Sequence, residues 1–285
     1  MENKQNTFMK VIKDVRSLPT IPGIIVEVLS LLDDNKTPFK DISRLISSDQ
    51  TLSARILRLA NSPFYGFPGH VSTIPAAMVM LGAKAVKGLV LTSIIFEMTN
   101  ENALGFWEHS LGTAMAANII AKRLKVAKAE EVSTAALLHD IGKVIIQSKL
   151  KDDYAYLLTQ VKENEVSMQE AELEMLGVDH AEVGGWAVRA WGLPEALCEP
   201  ITCHHDVEKS EAYRVEAAVV HLADILIKAN GFGFTGDPFV PPIQSATWDI
   251  LNLSEPLLEE ITEDLDQKLV EVKQFSQEIQ STEHP

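Results

Sequence analysis

The sequence is poor in cysteine, in long apolar runs and in positive charge. Its two cysteines, Cys198 and Cys203, form neither a CxxC pair nor a spaced framework, which excludes a disulfide-stabilised class and favours a reducing compartment. Apolar stretches such as 88–96 and 109–121 fall short of the roughly 18 residues that a membrane span needs. No basic and apolar leader follows Met1. These absences predict a cytoplasmic protein that does not cross a membrane.

Negative charge dominates, and it is unevenly placed. The 285 residues carry 25 Lys and Arg against 40 Asp and Glu, a formal net charge of −15. Residues 1–100 hold 11 basic and 8 acidic side chains, so the acidic excess lies in residues 101–285. Such a surface repels nucleic-acid backbones and anionic membranes, which argues against both as partners, although it also favours solubility. The 46% of hydrophobic residues is typical of a globular protein with a sizeable core.

The hydrophobic pattern is helical nearly throughout and predicts an all-α, two-lobed helical bundle. Leu52, Ile56 and Leu59, for example, recur at helical spacing, and no alternating strand pattern competes. Small and polar residues at 99–105 predict the junction between the lobes. We predict a first lobe over 1–100, a second over 101–230 and, over 231–285, a loop followed by an acidic amphipathic helix packed on the body. Helices of the second lobe are predicted at 106–124, 130–140, 179–191, 194–204 and 211–229.

The segment 76–93 allows two interpretations. Leu81-Gly82 interrupts a helical pattern, and Lys84 and Lys87 follow the break, as in a helix-turn-helix. DNA-binding helices usually carry more basic residues than these two. We therefore expect an αα-hairpin that closes over the second lobe rather than a DNA-binding unit.

Five of the eight histidines, together with two aspartates, lie in contexts that suit metal ligands. His139 and Asp140 are adjacent, and adjacent helical residues lie ~100° apart around the axis, so the two can flank a pair of ions. Imidazole nitrogens and carboxylate oxygens together suit Fe, Mn, Co or Zn. Lys143 shares the face of His139 and is placed to meet a phosphate oxygen. Asp224 is an acid in an otherwise apolar helix.

The local sequence also suggests roles for other histidines. Asp179 and Glu182 have the spacing of a capping box, which places His180 at a helix start, exposed toward a cleft. His221 lies three residues before Asp224, and we expect it to orient that aspartate rather than bind an ion itself. Two further histidines are expected to be exposed to solvent and to have no part in a site: His70 and His284.

His109, the pair His139-Asp140 and Asp224 resemble the H…HD…D signature of the HD superfamily of metal-dependent phosphohydrolases. The sequence His-Asp-Ile-Gly-Lys at 139–143 is similar to that of the HD-GYP cyclic-dinucleotide phosphodiesterases. No Gly-Tyr-Pro follows the later histidine pair, however, and Gly105 stands where those enzymes can supply a glutamate ligand. Both departures count against hydrolysis of a cyclic dinucleotide.

The first lobe resembles the HDOD domain, a signalling relative of the HD superfamily. The resemblance extends over roughly residues 10–230 and implies an HD-like fold with an N-terminal HDOD lobe. It rests on five motifs: Leu18-Pro-Thr-Ile-Pro22, the segment 49–62 that begins Asp-Gln-Thr-Leu-Ser, Ile74-Pro-Ala-Ala, Leu81-Gly82 and Trp191-Gly-Leu-Pro194.

The resemblance implies a binuclear centre with two divalent or transition ions of Fe, Mn or Zn. The implied ligands are His109, His139, Asp140 and Asp224 for one ion and His180, His204 and His205 for the other, with Asp140 bridging. Asp140 and Lys143 would act in catalysis, Lys143 by stabilising phosphoryl charge. The bound molecule would be a phosphoester or nucleotide. The alternative is a catalytically inactive scaffold that binds a signalling protein and keeps a structural or vestigial metal site.

Overall fold

The structure is a computed structural model, and it describes residues 23–283 except Asn35, 62–69, 99–103, Thr235 and Asp237. These ranges contain helices, turns and loops and no strand, so the predicted all-α class is confirmed. They divide between two compact units, a larger one over 98–267 and a smaller one over 20–97 and 268–285. The motif at 18–22 and His284 lie outside the described residues.

The smaller unit begins with four helices: α1 (Gly23–Asp33), α2 (Phe39–Ser47), α3 (Gln50–Ala60) and α4 (Ile74–Met98). Helix α3 starts after Asp49, whose carboxylate accepts a hydrogen bond from the main-chain N–H of Leu52, as N-cap residues typically do. Helix α4 breaks at Gly82, whose φ of +78° favours glycine. The predicted interruption at Leu81-Gly82 is therefore confirmed, and the helix bends there by 112°.

None of the described helices is by itself long and apolar enough to cross a bilayer. The two arms of α4, Ile74–Ala83 and Ala85–Leu91, meet the requirements of length and hydropathy only when they are taken together as a bent pair. Met78, Val86 and Leu89 of these arms are buried within the protein.

The larger unit contains the remaining helices. Their bounds are α5 (Leu104–Arg123), α6 (Ala129–Leu138), α7 (Ile141–Lys149), α8 (Lys151–Asn164), α9 (Met168–Leu176), α10 (His180–Ala190), α11 (Glu195–Cys203), α12 (Arg214–Ala229), α13 (Ser245–Leu251) and the first half of α14 (Glu255–Glu283). The five helices predicted here are all present, with ends that shift by at most three residues. The predicted loop at 231–242 is non-helical where it is described.

The first half of α14 packs on the larger unit through an apolar stripe. Ile261 and Leu265 of this stripe are fully buried. On the polar side, Arg123 at the end of α5 forms ion pairs with Asp264, at 2.7 Å, and with Glu260. Helix α14 therefore lies against the end of α5 in the way that its amphipathic sequence suggests.

Close contact between α7 and α10 depends on glycine. A Cβ on Gly142 would lie 1.9 Å from the main-chain oxygen of His180, and Gly184 of α10 faces the main chain of Gly142. Gly185 of α10 is equally close to α11, since a Cβ there would lie 2.1 Å from the hydroxyl oxygen of Thr202. The contact at Gly142 sets the start of α7 against the start of α10, which is where Asp140 and His180 lie.

Candidate metal centre

All seven predicted ligands converge in the larger unit. They come from α5, the α6–α7 junction, the start of α10, the end of α11 and the middle of α12. Their donor atoms form three sets, in each of which all atoms lie within 4.8 Å of one another. The sets are the first half-site (His109, His139 and Asp224), the second half-site (His180, His204 and His205) and a middle set of His139, Asp140 and His204. The middle set joins the two half-sites into one cluster.

The cluster is more deeply buried than the sequence indicated. Six of the seven ligands are at most 2% exposed, and His205 alone among the seven is half-buried. The expectation that His180 faces an open cleft is wrong. Asp179 does cap α10 by accepting the N–H of Glu182, but the helix starts inside the core because the side chain of Glu172, from α9, covers the His180 ring from behind.

Asp140 lies between the half-sites, and each of its oxygens faces a different one. Oδ2 lies 3.4 Å from Nε2 of His139 and accepts a hydrogen bond of 2.8 Å from Lys143. Oδ1 lies 3.1 Å from Nε2 of His180 and 3.9 Å from Nε2 of His204. Burial acts to raise the pKa of Asp140, but the charges of His139 and Lys143 outweigh it and hold that pKa well below its ordinary value. The side chain is therefore an ionised carboxylate in a bridging position.

Asp224 holds the outer side of the first half-site. Its Oδ1 lies 2.9 Å from Nε2 of His109 and 3.5 Å from Nε2 of His139. Its Oδ2 accepts a hydrogen bond of 3.1 Å from Lys228, one helical turn further along α12. Burial opposes ionisation, yet the charge of Lys228 and the hydrogen bond from His109 keep the pKa of Asp224 well below its ordinary value. Lys228 was not among the predicted site residues, although its i,i+4 spacing from Asp224 is visible in the sequence.

The rings of His139 and His204 are each held by a main-chain oxygen. Nδ1 of His139 lies 2.6 Å from the oxygen of Ala136, and Nδ1 of His204 lies 2.7 Å from the oxygen of Ile201. Because a carbonyl oxygen only accepts, both Nδ1 atoms carry a proton, and each ring turns its Nε2 toward the other donor atoms of the cluster. Both Nε2 atoms are buried, and neither has a hydrogen-bond partner among the residues that the structure describes.

These Nε2 atoms lie among other polar atoms of the cluster. Nε2 of His139 lies 3.4 Å from a carboxylate oxygen of Asp140 and 3.5 Å from one of Asp224. A buried polar atom without a hydrogen-bond partner costs free energy. A cation among these atoms would satisfy all of them, and imidazole with carboxylate is a donor set of Fe, Mn and Zn. The residues therefore fit the metal that the sequence resemblance implies.

The second half-site has its own supporting carboxylate. Glu172 accepts hydrogen bonds from Nδ1 of His180, at 2.6 Å, and from its main-chain N–H, at 2.8 Å. Burial acts to lower the pKa of His180, but the carboxylates of Glu172 and Asp140 together outweigh it and raise that pKa to about 9. A carboxylate behind the ring is a common way to orient a histidine ligand. Glu172 was not predicted as a site residue. It shares the buried face of α9 with Met168 and Leu176, and an acidic residue on an apolar face was the available indication.

The other two rings of the second half-site are neutral. Burial, reinforced by the neighbouring histidines, holds the pKa of His204 and of His205 well below the ordinary value. Nε2 of His205 lies 2.7 Å from Nε2 of His180, so these two nitrogens already converge. Neutral imidazole is the form that binds a metal ion.

His221 does not orient Asp224 as predicted. Its Nδ1 donates to the main-chain oxygen of His204, at 2.7 Å, and its Nε2 accepts the N–H of Gln244, at 3.2 Å. The prediction considered only neighbours on the same helix, whereas the ring reaches across to the turn after α11. His221 therefore supports a ligand of the second half-site through the main chain.

Gly105 stands one turn before His109, and the structure shows why no longer side chain occupies that position. The oxygen of Gly105 accepts the N–H of Phe234, and a Cβ on Gly105 would lie 3.0 Å from that nitrogen. Gly233, with φ of +73°, lies so close that a Cβ there would come within 2.4 Å of the main-chain nitrogen of His109. The loop after α12 thus fills the space where related enzymes can place a glutamate.

The family model of the HDOD domain matches residues 18–207 of the chain. The chain belongs to the HDOD family. The matched residues include the HDOD motifs of the first lobe and six of the seven ligands, because Asp224 lies beyond them. The resemblance inferred from the sequence is confirmed.

The fold of this HDOD protein recurs in solved structures. An HDOD domain protein of unknown function from Geobacter sulfurreducens is similar with a TM-score of 0.78 and 28% identity, covering 96% of this chain and 97% of the other. A protein from Shewanella amazonensis SB2B, described as a candidate phosphohydrolase, has a TM-score of 0.74 and 24% identity, covering 93% and 97%. At that identity the second likeness establishes the fold alone.

The HDOD protein also matches a curated relative, an uncharacterised protein of Treponema pallidum (strain Nichols). The two are 24% identical over 219 residues. The alignment takes in 75% of this chain and 43% of that protein, so the chain spans less than half of the relative's length.

Proposed function

We propose that this HDOD protein binds two divalent or transition metal ions in its buried cluster and hydrolyses phosphoesters, nucleotides among them, in a signalling role. The observation that carries the proposal is the pair of buried Nε2 atoms of His139 and His204, which have no hydrogen-bond partner in the described part of the chain. The fold likeness to the candidate phosphohydrolase of Shewanella amazonensis supports the same class of chemistry.

The two half-sites would each hold one ion, with Asp140 shared between them. When bound, such ions activate a water molecule and neutralise charge on a phosphate group. Asp140 suits this bridging role because its two oxygens already face different half-sites. Glu172 and the carbonyl oxygens behind His139 and His204 would hold the ligand rings in place.

Lys143 is the residue best placed to bind a phosphate oxygen. Its ammonium group is 1% exposed and lies 2.8 Å from Asp140, so it stands at the junction of the half-sites. A buried positive charge stabilises developing negative charge more strongly than one in water does. Substrate would approach from the side of His205 and Lys228, which are less buried than the other residues of the cluster.

Deep burial of the ligands favours a second candidate function. Six of the seven are at most 2% exposed, which suits an ion with a structural role as well as one in catalysis. In that case the protein would be a catalytically inactive signalling scaffold that binds a partner protein, and the metal would stabilise its larger unit. Metal binding is common to both functions, and turnover distinguishes them.

The test measures metal content and hydrolysis on the same full-length protein. Protein purified without added metal and then loaded with Mn, Fe or Zn should hold two ions, and it should hydrolyse a generic phosphodiester such as bis(p-nitrophenyl) phosphate. His139→Ala should lose both properties, whereas His70→Ala, an exposed histidine in the smaller unit, should keep them. Full loading without turnover of a broad phosphoester panel would favour the scaffold. Failure to bind any of the three metals would contradict both functions.

A further inference from the structure

The turn that carries His204 and His205 is held by a side chain from a distant segment. Both histidines follow the end of α11, where the main chain leaves the helix. Gln244, which immediately precedes α13, forms hydrogen bonds to this turn with both polar atoms of its side-chain amide. Nε2 of Gln244 donates to the oxygen of His205, at 2.6 Å, and Oε1 accepts the N–H of Val207, at 3.2 Å. Because a carbonyl only accepts and an N–H only donates, the two bonds fix the amide in one orientation.

His221 completes the arrangement from α12. Its ring donates a hydrogen bond to the main-chain oxygen of His204 and accepts one from the main-chain N–H of Gln244. His221 therefore contacts both the turn and Gln244, the residue that holds the turn. The His221 ring thus has one nitrogen that donates and one that accepts, which is what these two partners require. Three hydrogen bonds thus connect the segment 204–207 with Gln244 and His221, and a fourth joins Gln244 to His221.

We propose that Gln244 is a positioning residue for the second half-site and that it acts together with His221. The inference rests on the metal binding proposed above. Gln244 bonds the main chain of the turn, so it fixes the direction in which the rings of His204 and His205 leave it. That direction keeps Nε2 of His205 2.7 Å from Nε2 of His180. Gln244 lies beyond residues 18–207, which the family model matches, so the second half-site is positioned by a residue outside the HDOD match.

The test compares Gln244→Ala with Gln244→Glu and with Ser245→Ala, an exposed neighbour that serves as the matched control. Titration of the full-length metal-free protein with Co²⁺ alone, followed by visible absorption, counts the ions and reports their ligands. Wild type and Ser245→Ala should bind two ions. Gln244→Ala should bind one ion as tightly as wild type and the other about 10–100-fold more weakly, since loss of an orienting partner has an effect of that size. Gln244→Glu should bind this second ion no more tightly than Gln244→Ala does, because a carboxylate cannot donate to the main-chain oxygen of His205 and is repelled by it.

Ring spectra of the histidines by NMR, taken on the metal-free proteins, give a second readout that needs no ion. Gln244→Ala should shift the ring signals of His204 and His205 and leave those of His109 unchanged. Unchanged signals, or a loss of affinity shared equally by both ions, would overturn the inference. Failure of wild type to bind Co²⁺ would contradict the proposed function, and the ring spectra would still decide whether Gln244 positions the turn.

Discussion

At the scale of single residues, Asp140 joins the two halves of the cluster. Its Oδ2 faces His139 and Lys143, and its Oδ1 faces His180. A carboxylate that contacts two cations offsets part of the repulsion between them, which a ligand at either end cannot do. Asp140 is therefore the residue whose removal should affect both half-sites at once.

Replacing Asp140 with alanine should deplete both metal ions rather than one. The expected metal content, measured by elemental analysis after loading, falls from two ions per chain toward none. Asp249→Ala removes an exposed carboxylate from α13 and should leave the content unchanged. A variant at position 140 that keeps a full complement of ions would show that Asp140 does not bridge.

Replacing Lys143 with methionine should destabilise the metal-free protein. The change leaves the buried carboxylate of Asp140 without its cation, and breaking a buried pair in this way costs about 3–5 kcal/mol. Bound metal replaces the missing positive charge, so the loss in free energy of unfolding should be smaller for the loaded protein. Chemical denaturation with and without metal measures both values. Lys151→Met, at an exposed position in α8, is the control, and an equal loss in both states would contradict the explanation.

Functional side chains could be predicted from the sequence when their residue type is distinctive or when the residues they contact are close in sequence. The seven candidate ligands, whose donor atoms the structure brings together, were predicted from residue type, local context and family resemblance. Glu172 was missed because it acts on His180 from another helix, and Gln244 because it bonds main-chain atoms of a distant turn. The role of His221 was assigned wrongly for the same reason. Sequence spacing reports contacts along one helix, and these three contacts cross between elements.

At the scale of helices, hydrophobic periodicity located the elements well. The break at Gly82 and the helices that carry the ligands lie where the pattern predicted them. What periodicity could not show is how closely two helices approach. Helices α7 and α10 come together at Gly142 and Gly184, and that distance decides whether Asp140 can reach His180.

Replacing Gly142 with alanine should separate α7 from α10. The added Cβ would lie 1.9 Å from the main-chain oxygen of His180, and main chain cannot move aside as a flexible side chain can. Overpacking of this kind costs about 1–3 kcal/mol or more in the free energy of unfolding. Gly23→Ala, at a position in α1 where no described residue lies within 4 Å of the new atom, is the matched control. Thermal denaturation should show a loss for the first variant only, and equal stability of the two would contradict the packing argument.

At the scale of the whole molecule, the cluster links five separate parts of one unit. Its ligands span positions 109–224, so most of the larger unit must be folded before the donor atoms meet. An ion that binds only this folded arrangement stabilises it by mass action. Metal binding and global stability should therefore change together.

Removal of metal should lower the midpoint of thermal unfolding, and addition should restore it. Free metal at 100 times Kd stabilises the folded state by about 2.7 kcal/mol per site, which corresponds to a shift of several degrees for a chain of this size. Calorimetry of chelated and reloaded protein measures the shift. His139→Ala should show no response to metal, and a wild-type protein with the same midpoint in both states would argue against tight binding.

Three buried ion pairs have a consequence for how the protein matures. Asp140 pairs with Lys143, Asp224 with Lys228, and Glu172 with His180. Every carboxylate of the cluster thus has a protein cation of its own, and the core stays electrically balanced without any ion. We therefore expect a newly made chain to complete its fold without metal and to take up the proposed ions afterwards, in contrast to domains that remain unfolded until metal arrives. Metal supply would then govern how many finished molecules are loaded rather than how many fold.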